Sequence, residues 1–181
     1  MAIDAFLDFS KATTVPKKVK GESNDEMFKD TFHVKTFTFA INQKGTAPTG
    51  LGLGAGKAEF DDFEFTIDTQ RGSAELLKHC AKGSHFDMVF LHVRKAGGAH
   101  VEFLRYGFSS CIISNYSTSG DEESTDTVKF NYARVYTRYI VQKNDGTLDT
   151  ANDSKGGWDL KANNDYEADG PGFLAQGGEQ K

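Results

Sequence analysis

A two-residue alternation in residues 85–106 decides the class of fold, where the sequence reads HFDMVFLHVRKAGGAHVEFLRY. In its first half Phe86 and Phe90 fall on one face and Val89 on the other, which is the period of a β-strand. Ala96–Gly98 then predicts a turn, after which the alternation resumes. The stretch therefore predicts two antiparallel strands joined as a β-hairpin.

The same period recurs along most of the chain. Asp61 and Asp62 interrupt one alternating segment and predict a bulge, and Gly107 predicts a bend in another. The segments predicted as strands are Met1–Phe9, His33–Gln43, Ala58–Asp68, His85–Lys95, His100–Tyr106 with its continuation Phe108–Tyr116, Asp126–Gln142 and Gly157–Lys161. We therefore expect a mainly β protein in which 126–142 forms the longest strand.

One short helix is predicted between Ser73 and Lys82. Its apolar stripe at helical spacing comprises Leu76, Leu77, Cys80 and Ala81. Ser73 is the expected N-cap and Gly83 the expected C-terminal stop. His79 is expected on the opposite side of the helix from Leu76.

Composition excludes several classes of function. The 181 residues include 21 Lys and Arg against 26 Asp and Glu, a formal net charge of 21 − 26 = −5. That balance argues against binding nucleic acid or an anionic membrane surface, since both need a basic face. The two cysteines rule out a disulfide scaffold. The N-terminus has neither a basic region nor a long apolar segment, so we expect a cytoplasmic protein, or one exported without a cleaved signal.

The glycine-rich run Gly50–Lys57 resembles a phosphate-binding loop only superficially. A P-loop needs glycine where Leu51 stands and Ser or Thr where Ala58 stands. A dinucleotide site needs a helix after the glycines, whereas an acidic, strand-like segment follows here. The remaining interpretations are a flexible loop or an arm that docks on a neighbouring subunit. Its residues are Gly50, Leu51, Gly52, Leu53, Gly54, Ala55, Gly56 and Lys57.

The other reactive side chains form no recognisable constellation. None of the histidines lies at metal-binding spacing, and Cys111 lies in an apolar strand, as expected of a buried small hydrophobe. The acidic run Asp121–Asp126 lacks calcium-loop spacing and is interpreted as a solvated turn. Asp61 and Asp62, with Glu64, are interpreted as charges at a strand edge. We therefore expect no catalytic residue, metal or cofactor, and no enzyme. The five histidines are His33, His79, His85, His92 and His100.

Several predicted strands are apolar on both faces, which favours assembly. A barrel interior accounts for one face, and a ten-residue helix cannot cover the whole of the other. We therefore expect another protein chain to cover part of it.

The order of these motifs is similar to that of the Hcp family, the haemolysin-coregulated tube proteins of bacterial type VI secretion. The likeness spans about residues 1–162, and the segment Ala12–Pro16 is unusual for the family. The matching stretches are Met1–Phe6, Val19–Ser23, Gly54–Lys57, the helix from Leu76 to Gly83, Val93–Gly98, Val101–Leu104, Asn131–Tyr132 and Gly157–Asp159.

The resemblance implies a fold and a function. The fold would be a compact β-barrel of two packed antiparallel sheets with one short α-helix, followed by a flexible tail over 163–181. Six copies would form a ring, and rings would stack into a tube, with Gly50–Lys57 as the contact loop. The lumen would carry and protect small effector proteins, and sheath and spike proteins would be further partners. Two alternatives stay open, a monomeric small-molecule-binding barrel and a phage-like tail-tube protein.

Overall fold

The computed structural model describes residues 3–11, 19–43, 57–96, 101–120, 122–143 and 147–167. Every strand pair is antiparallel, and one short helix accompanies them, so the predicted mainly β fold is confirmed. The elements are β1 (Ile3–Lys11), β2 (Phe32–Val34), β3 (Thr36–Thr38), β4 (Ile41–Asn42), β5 (Glu59–Phe60), β6 (Phe63–Asp68), α1 (Ser73–Lys82), β7 (His85–Lys95), β8 (Glu102–Gly120), β9 (Ser124–Asn131), β10 (Arg134–Gln142), β11 (Leu148–Asp159) and β12 (Asn164–Asp165).

The long strand β8 organises the sheet because it has three partners. Its first half pairs with β7 on one side, as the predicted hairpin requires, and with β10 on the other. Its second half leaves β10 and pairs with β9. The main path of the sheet is β12-β11-β10-β8-β7-β1-β2, and a branch continues from β8 through β9 and β6 to β3.

The change of partner takes place at a corner. Ser110 has a positive φ of 53°, which shifts the alternation so that Phe108 and Cys111 both face the core. The bend predicted at Gly107 was therefore placed too early. The predicted single strand 126–142 is likewise wrong, because the chain breaks between β9 and β10, where the N–H of Ala133 donates to the carbonyl of Ser109 at 3.0 Å.

Among the described residues, the strand ladders do not close into a barrel, so the mainly β fold holds but the expected closed barrel does not. The branch ends at β3 and the main path at β2, and only Lys35 separates these two short strands in the chain. The N–H of Lys35 donates to the carbonyl of Thr66 at 2.8 Å. The two ends of the sheet are therefore joined through the chain itself, because a bend replaces the ladder that would have closed it.

The core between the sheet faces consists largely of phenylalanine. The ring of Phe63 lies 4.8 Å from that of Phe108 and 5.1 Å from that of Phe130, and all three side chains are fully buried. Burying a side chain of this size contributes about 1.5–3 kcal/mol. Many of the chain's 15 phenylalanines thus serve its own core.

The helix has the predicted bounds, but its buried face differs from the prediction. Gly83 adopts the left-handed conformation at the C-cap, as expected, whereas Gly72 rather than Ser73 is the N-cap. Leu76 is fully buried and His79 is 7% exposed, while Leu77 is 52% exposed. The helix packs against β8 through positions three residues apart, so the predicted stripe with Leu77 and Ala81 was wrong.

Candidate assembly surfaces

The predicted contact loop begins from a small two-stranded sheet. Ile41 pairs with Phe60, and Asn42 pairs with Glu59, so β4 and β5 hold together the two ends of the intervening segment. Gly50–Gly56 lie outside the described residues, and Lys57 is exposed. Ile41 is 49% exposed, which places an apolar side chain at the base of the loop.

A second surface is the outer edge of β11. Among the described strands, only β12 pairs with this edge, and it covers only Trp158 and Asp159. The carbonyl of Gly157 accepts the N–H of Tyr166 at 3.0 Å on the side away from β10. Backbone groups alternate in direction along a strand, so residues two apart direct theirs to the same edge. Lys155, two residues before Gly157, therefore also directs its N–H and C=O away from β10.

An apolar face continues along β10 beyond the covered core. Val135 is buried, whereas Tyr139 and Val141, on the same face, are 46% and 43% exposed. Tyr139 lies directly opposite Leu104 of β8, which is half-buried. The described residues therefore cover the core face of the sheet only partly at this end.

The opposite face of the sheet carries a buried ionic network. Glu102 accepts hydrogen bonds from Arg105 at 2.7 and 2.6 Å and lies 2.9 Å from Nδ1 of His92. Burial raises the pKa of the Glu102 carboxyl, but the hydrogen bonds and charges of Arg105 and His92 lower it by more. The pKa of Glu102 therefore lies below the usual value. The carboxylate therefore stays ionised and holds two strands together.

Arg94 forms a second part of this network. Its guanidinium donates to Asp4 at 3.3 Å and to Asp25 at 2.5 Å, and it lies 4.8 Å from the centroid of the Phe6 ring. Burial raises the pKa of Asp25, but hydrogen bonds from Arg94 and from backbone N–H groups lower it below its usual value. Phe28 stacks on Phe6 at 4.8 Å, so the chain's own segment 19–31 covers this part of the second face.

The same face bears further ion pairs on the outer strands. Arg138 donates to Asp153 at 2.7 Å, and Lys155 lies 3.0 Å from the same carboxylate. Every described carboxyl whose pKa departs clearly from its ordinary value is shifted down. A general acid would need the opposite shift, so the arrangement suits structural pairing rather than proton transfer.

The predicted reactive residues are dispersed. Cys111 is buried as predicted, and burial raises its pKa well above the usual range. Asp126 is fully buried and accepts hydrogen bonds from Thr69 and Thr118, so the prediction of a solvated turn was wrong for this residue. His100 and Asp121 lie outside the described residues.

The remaining acidic candidates and histidines that the structure describes form no metal-binding cluster. Asp62 accepts a hydrogen bond from Asn131 at 2.9 Å in the break between β5 and β6. Within the described ranges, no three His, Cys, Asp or Glu side chains are grouped as a metal would require. The role of His92 in the ionic network was missed, because its place opposite Arg105 depends on a register shift between Val93 and Arg94 that the predicted hairpin did not include. No helix among the described residues is long and apolar enough to cross a membrane.

Comparison with known proteins agrees with this architecture. Residues 6–139 match the family model described as "Type VI secretion system effector, Hcp". The chain is 32% identical over 167 residues to Protein hcp1 of Pseudomonas aeruginosa, covering 90% of this chain and 98% of that protein.

Two solved structures share the fold over nearly the whole chain. One, described as a type six secretion system protein, has a TM-score of 0.81 and 26% identity, covering 91% of this chain and 100% of the other. Hcp1 from Salmonella typhimurium has a TM-score of 0.71 and 30% identity, covering 92% and 100%. The chain therefore belongs to the Hcp family of type VI secretion tube proteins.

Proposed function

We propose that six copies of this chain form a closed ring and that rings stack into the inner tube of a type VI secretion machine. The observation that carries the ring is the outer edge of β11. Natural monomers usually cover, shorten or charge such edges, because an open edge pairs with other chains. Here β11 has twelve residues, and on the edge away from β10 its described partner β12 pairs with only two of them.

The other end of the sheet offers a surface for the same contact. Within the described residues, β2 pairs with β1 only over Ala5–Leu7, so this side of β1 has little strand cover. A ring needs two different surfaces that meet head to tail, and the contact must close to avoid an open filament. We infer that the β11 edge of one copy meets the β1 side of the next, with the exposed Tyr139 and Val141 buried nearby.

A pair of substitutions at one position tests the ring contact. Lys155→Pro removes an outward N–H without removing a bond to β10, so it should abolish the ring and leave the chain folded. Lys155→Ala removes the same side chain and its ion pair but keeps the N–H, so the ring should persist.

Size-exclusion chromatography with light scattering reads out the result, with negative-stain images of the same peak. The wild type and Lys155→Ala should elute near 120 kDa, about six times 19.9 kDa. A ring of normal mass from folded Lys155→Pro would show that β11 does not carry the contact. Wild-type protein that stays a 19.9 kDa monomer at high concentration would overturn the ring itself.

The contact loop Gly50–Lys57 is the proposed link between rings. Leu51 and Leu53 are its large apolar side chains, and the glycines between them allow close approach to a partner. Leu51→Asp combined with Leu53→Asp should weaken stacking and leave single rings intact. Tubes of normal length from this double variant would refute the assignment.

The remaining parts of the proposal concern location and partners. The protein would collect in the cytoplasm before firing and leave with the tube, without a cleaved signal. Sheath and spike proteins would contact the tube, and its lumen would hold small effector proteins. The chain would act structurally rather than as an enzyme, with residues 1–162 forming the ring-building domain and 163–181 a flexible tail. The pairing of Asp25 and Glu102 with the buried arginines Arg94 and Arg105 is in keeping with a structural role.

A further inference from the structure

An apolar cavity of about 360 Å³ lies between the β4–β5 pair and the exposed core face of β10 and β11. Its aromatic lining consists of Phe39, Phe60, Tyr106 and Trp158, and the rings of Phe39 and Tyr106 contact each other with centroids 5.5 Å apart. Ile41, Ala58 and Val135 add aliphatic surface. No charged side chain is among the described residues that line it, and the hydroxyl groups of the lining belong to Tyr106 and Thr137.

The size and lining of the cavity match those of a small-molecule site. Ligand pockets in proteins typically occupy about 300–1,000 Å³ and are lined mainly by aromatic and apolar groups. A dry apolar cavity of roughly 150 Å³ is enough to bind benzene. This cavity is about twice as large, and its aromatic walls favour ring stacking, so it suits a compound of two fused rings.

The floor of the cavity is left open by a glycine that the chain's own packing does not require. A Cβ at Gly156 would meet no atom within 4 Å, and its φ lies outside the left-handed region. At the adjacent Gly157, by contrast, a Cβ would lie 2.4 Å from the carbonyl oxygen of Tyr166. Glycine at 157 thus serves packing, whereas glycine at 156 keeps space free inside the cavity.

We propose that this cavity binds a small, uncharged aromatic compound of about two fused rings. Charged compounds are excluded because no described lining group would replace the water around the charge. The proposal goes beyond the tube function and does not depend on it, since every wall of the cavity comes from one copy of the chain.

Trp158 allows the proposal to be tested directly, because it is the single tryptophan of the chain and lines the cavity. Full-length protein is titrated with 2-naphthol, which accepts energy from excited tryptophan, and in parallel with a sulfonated naphthol of the same ring system. We expect saturable transfer from Trp158 with one site per chain for the naphthol, and binding weaker by roughly tenfold or more for the sulfonate.

Variants locate the site. Gly156→Leu places a side chain in the cavity at a position where a Cβ meets nothing within 4 Å, and it should weaken naphthol binding by roughly tenfold or more. Gly120→Leu adds the same side chain at the end of β8, where a Cβ also meets nothing within 4 Å, and should leave binding unchanged. Thr137→Leu fills the cavity from β10 and provides a second blocking variant should Gly156→Leu fail to fold.

Two results would overturn the proposal. One is the absence of saturable transfer in the wild type. The other is equal naphthol affinity in wild type and a folded cavity-filling variant. If, in addition, Gly156→Leu alone dissociated the ring, the cavity would instead be a seat for a second copy of the chain.

Discussion

Adjacent glycines in β11 offer a sharp test of the packing on the two faces of the sheet. Gly156 and Gly157 point to opposite faces, and only the second is crowded. A Cβ at Gly157 would lie 2.4 Å from the carbonyl oxygen of Tyr166, 2.8 Å from that of Val135 and 3.1 Å from Cδ2 of Tyr136. Two of these neighbours are backbone atoms, which cannot move aside as a flexible side chain would.

The expected magnitudes follow from this difference. Gly157→Ala should destabilise the fold by about 1–3 kcal/mol, the usual cost of forcing an extra carbon into a packed site. Gly156→Ala should be neutral or stabilise by up to about 1 kcal/mol, because alanine restricts the unfolded chain and meets no obstacle. For a chain of this length, about 1 kcal/mol corresponds to roughly 2–4 °C in Tm. The two variants should therefore differ by about 1–4 kcal/mol, which corresponds to roughly 2–16 °C in Tm.

Thermal unfolding followed by circular dichroism measures the difference. Both variants and the wild type must be compared at one protein concentration, because self-association makes Tm depend on concentration. Chromatography before heating establishes that all three start from the same assembly. A Tm for Gly157→Ala equal to or above that of Gly156→Ala would refute the packing described around β11.

Three further outcomes follow from burial and charge. Asp25→Asn should lower stability by roughly 1.5–3 kcal/mol at pH 7. Because the pKa of Asp25 is lowered from 3.8 in the folded chain, this loss should stay constant above 3.8 and should vanish only as the pH falls below the folded-state pKa, which is lower still. Urea unfolding at several pH values measures it, and a difference independent of pH would contradict it. Leu76→Ala should cost about 2–5 kcal/mol and Leu77→Ala no more than about 0.5 kcal/mol in the same assay, and equal losses would show that the helix packs differently. A disulfide reagent at pH 8 should leave the Cys111 thiol unmodified until the chain unfolds, because burial raises its pKa; rapid reaction of both cysteines in folded protein would count against this burial.

The sequence predicted elements whose patterns are local. The hairpin of β7 and β8 and the limits of the helix follow from side-chain alternation and from Gly83, and neither depends on distant residues. The corner at Ser110 was not predictable in this way, because nothing in its own neighbourhood marks it. It exists because β8 must pair with β10 and then with β9, a demand that arises only once the sheet is assembled.

The helix face shows a different limit of local reasoning. Leu76, Leu77, Cys80 and Ala81 are the apolar positions, and hydropathy alone favours them as the buried stripe. The structure instead buries His79, whose ring packs edge-on against Phe86 at 5.3 Å. Burial lowers the pKa of His79, so the residue enters the core as a neutral ring. A polar residue can therefore occupy a core position when an aromatic neighbour matches its shape.

The prediction that another chain covers the surplus apolar strand surface has a different outcome in different parts of the sheet. On β1 and β7, the chain covers its own second face, since Phe28 stacks on Phe6 and lies 4.8 Å from the ring of His92. On β10, the exposed Tyr139 and Val141 have no such cover in the described chain beyond the contact of Tyr139 with Phe103. The surface left for assembly is thus smaller than the sequence implied, and it is concentrated beside the open edge of β11. A strand-to-strand contact needs a strand edge whose backbone groups can pair and an apolar surface beside it. The described residues offer both at this end of the sheet, which is why we assign the ring interface to it.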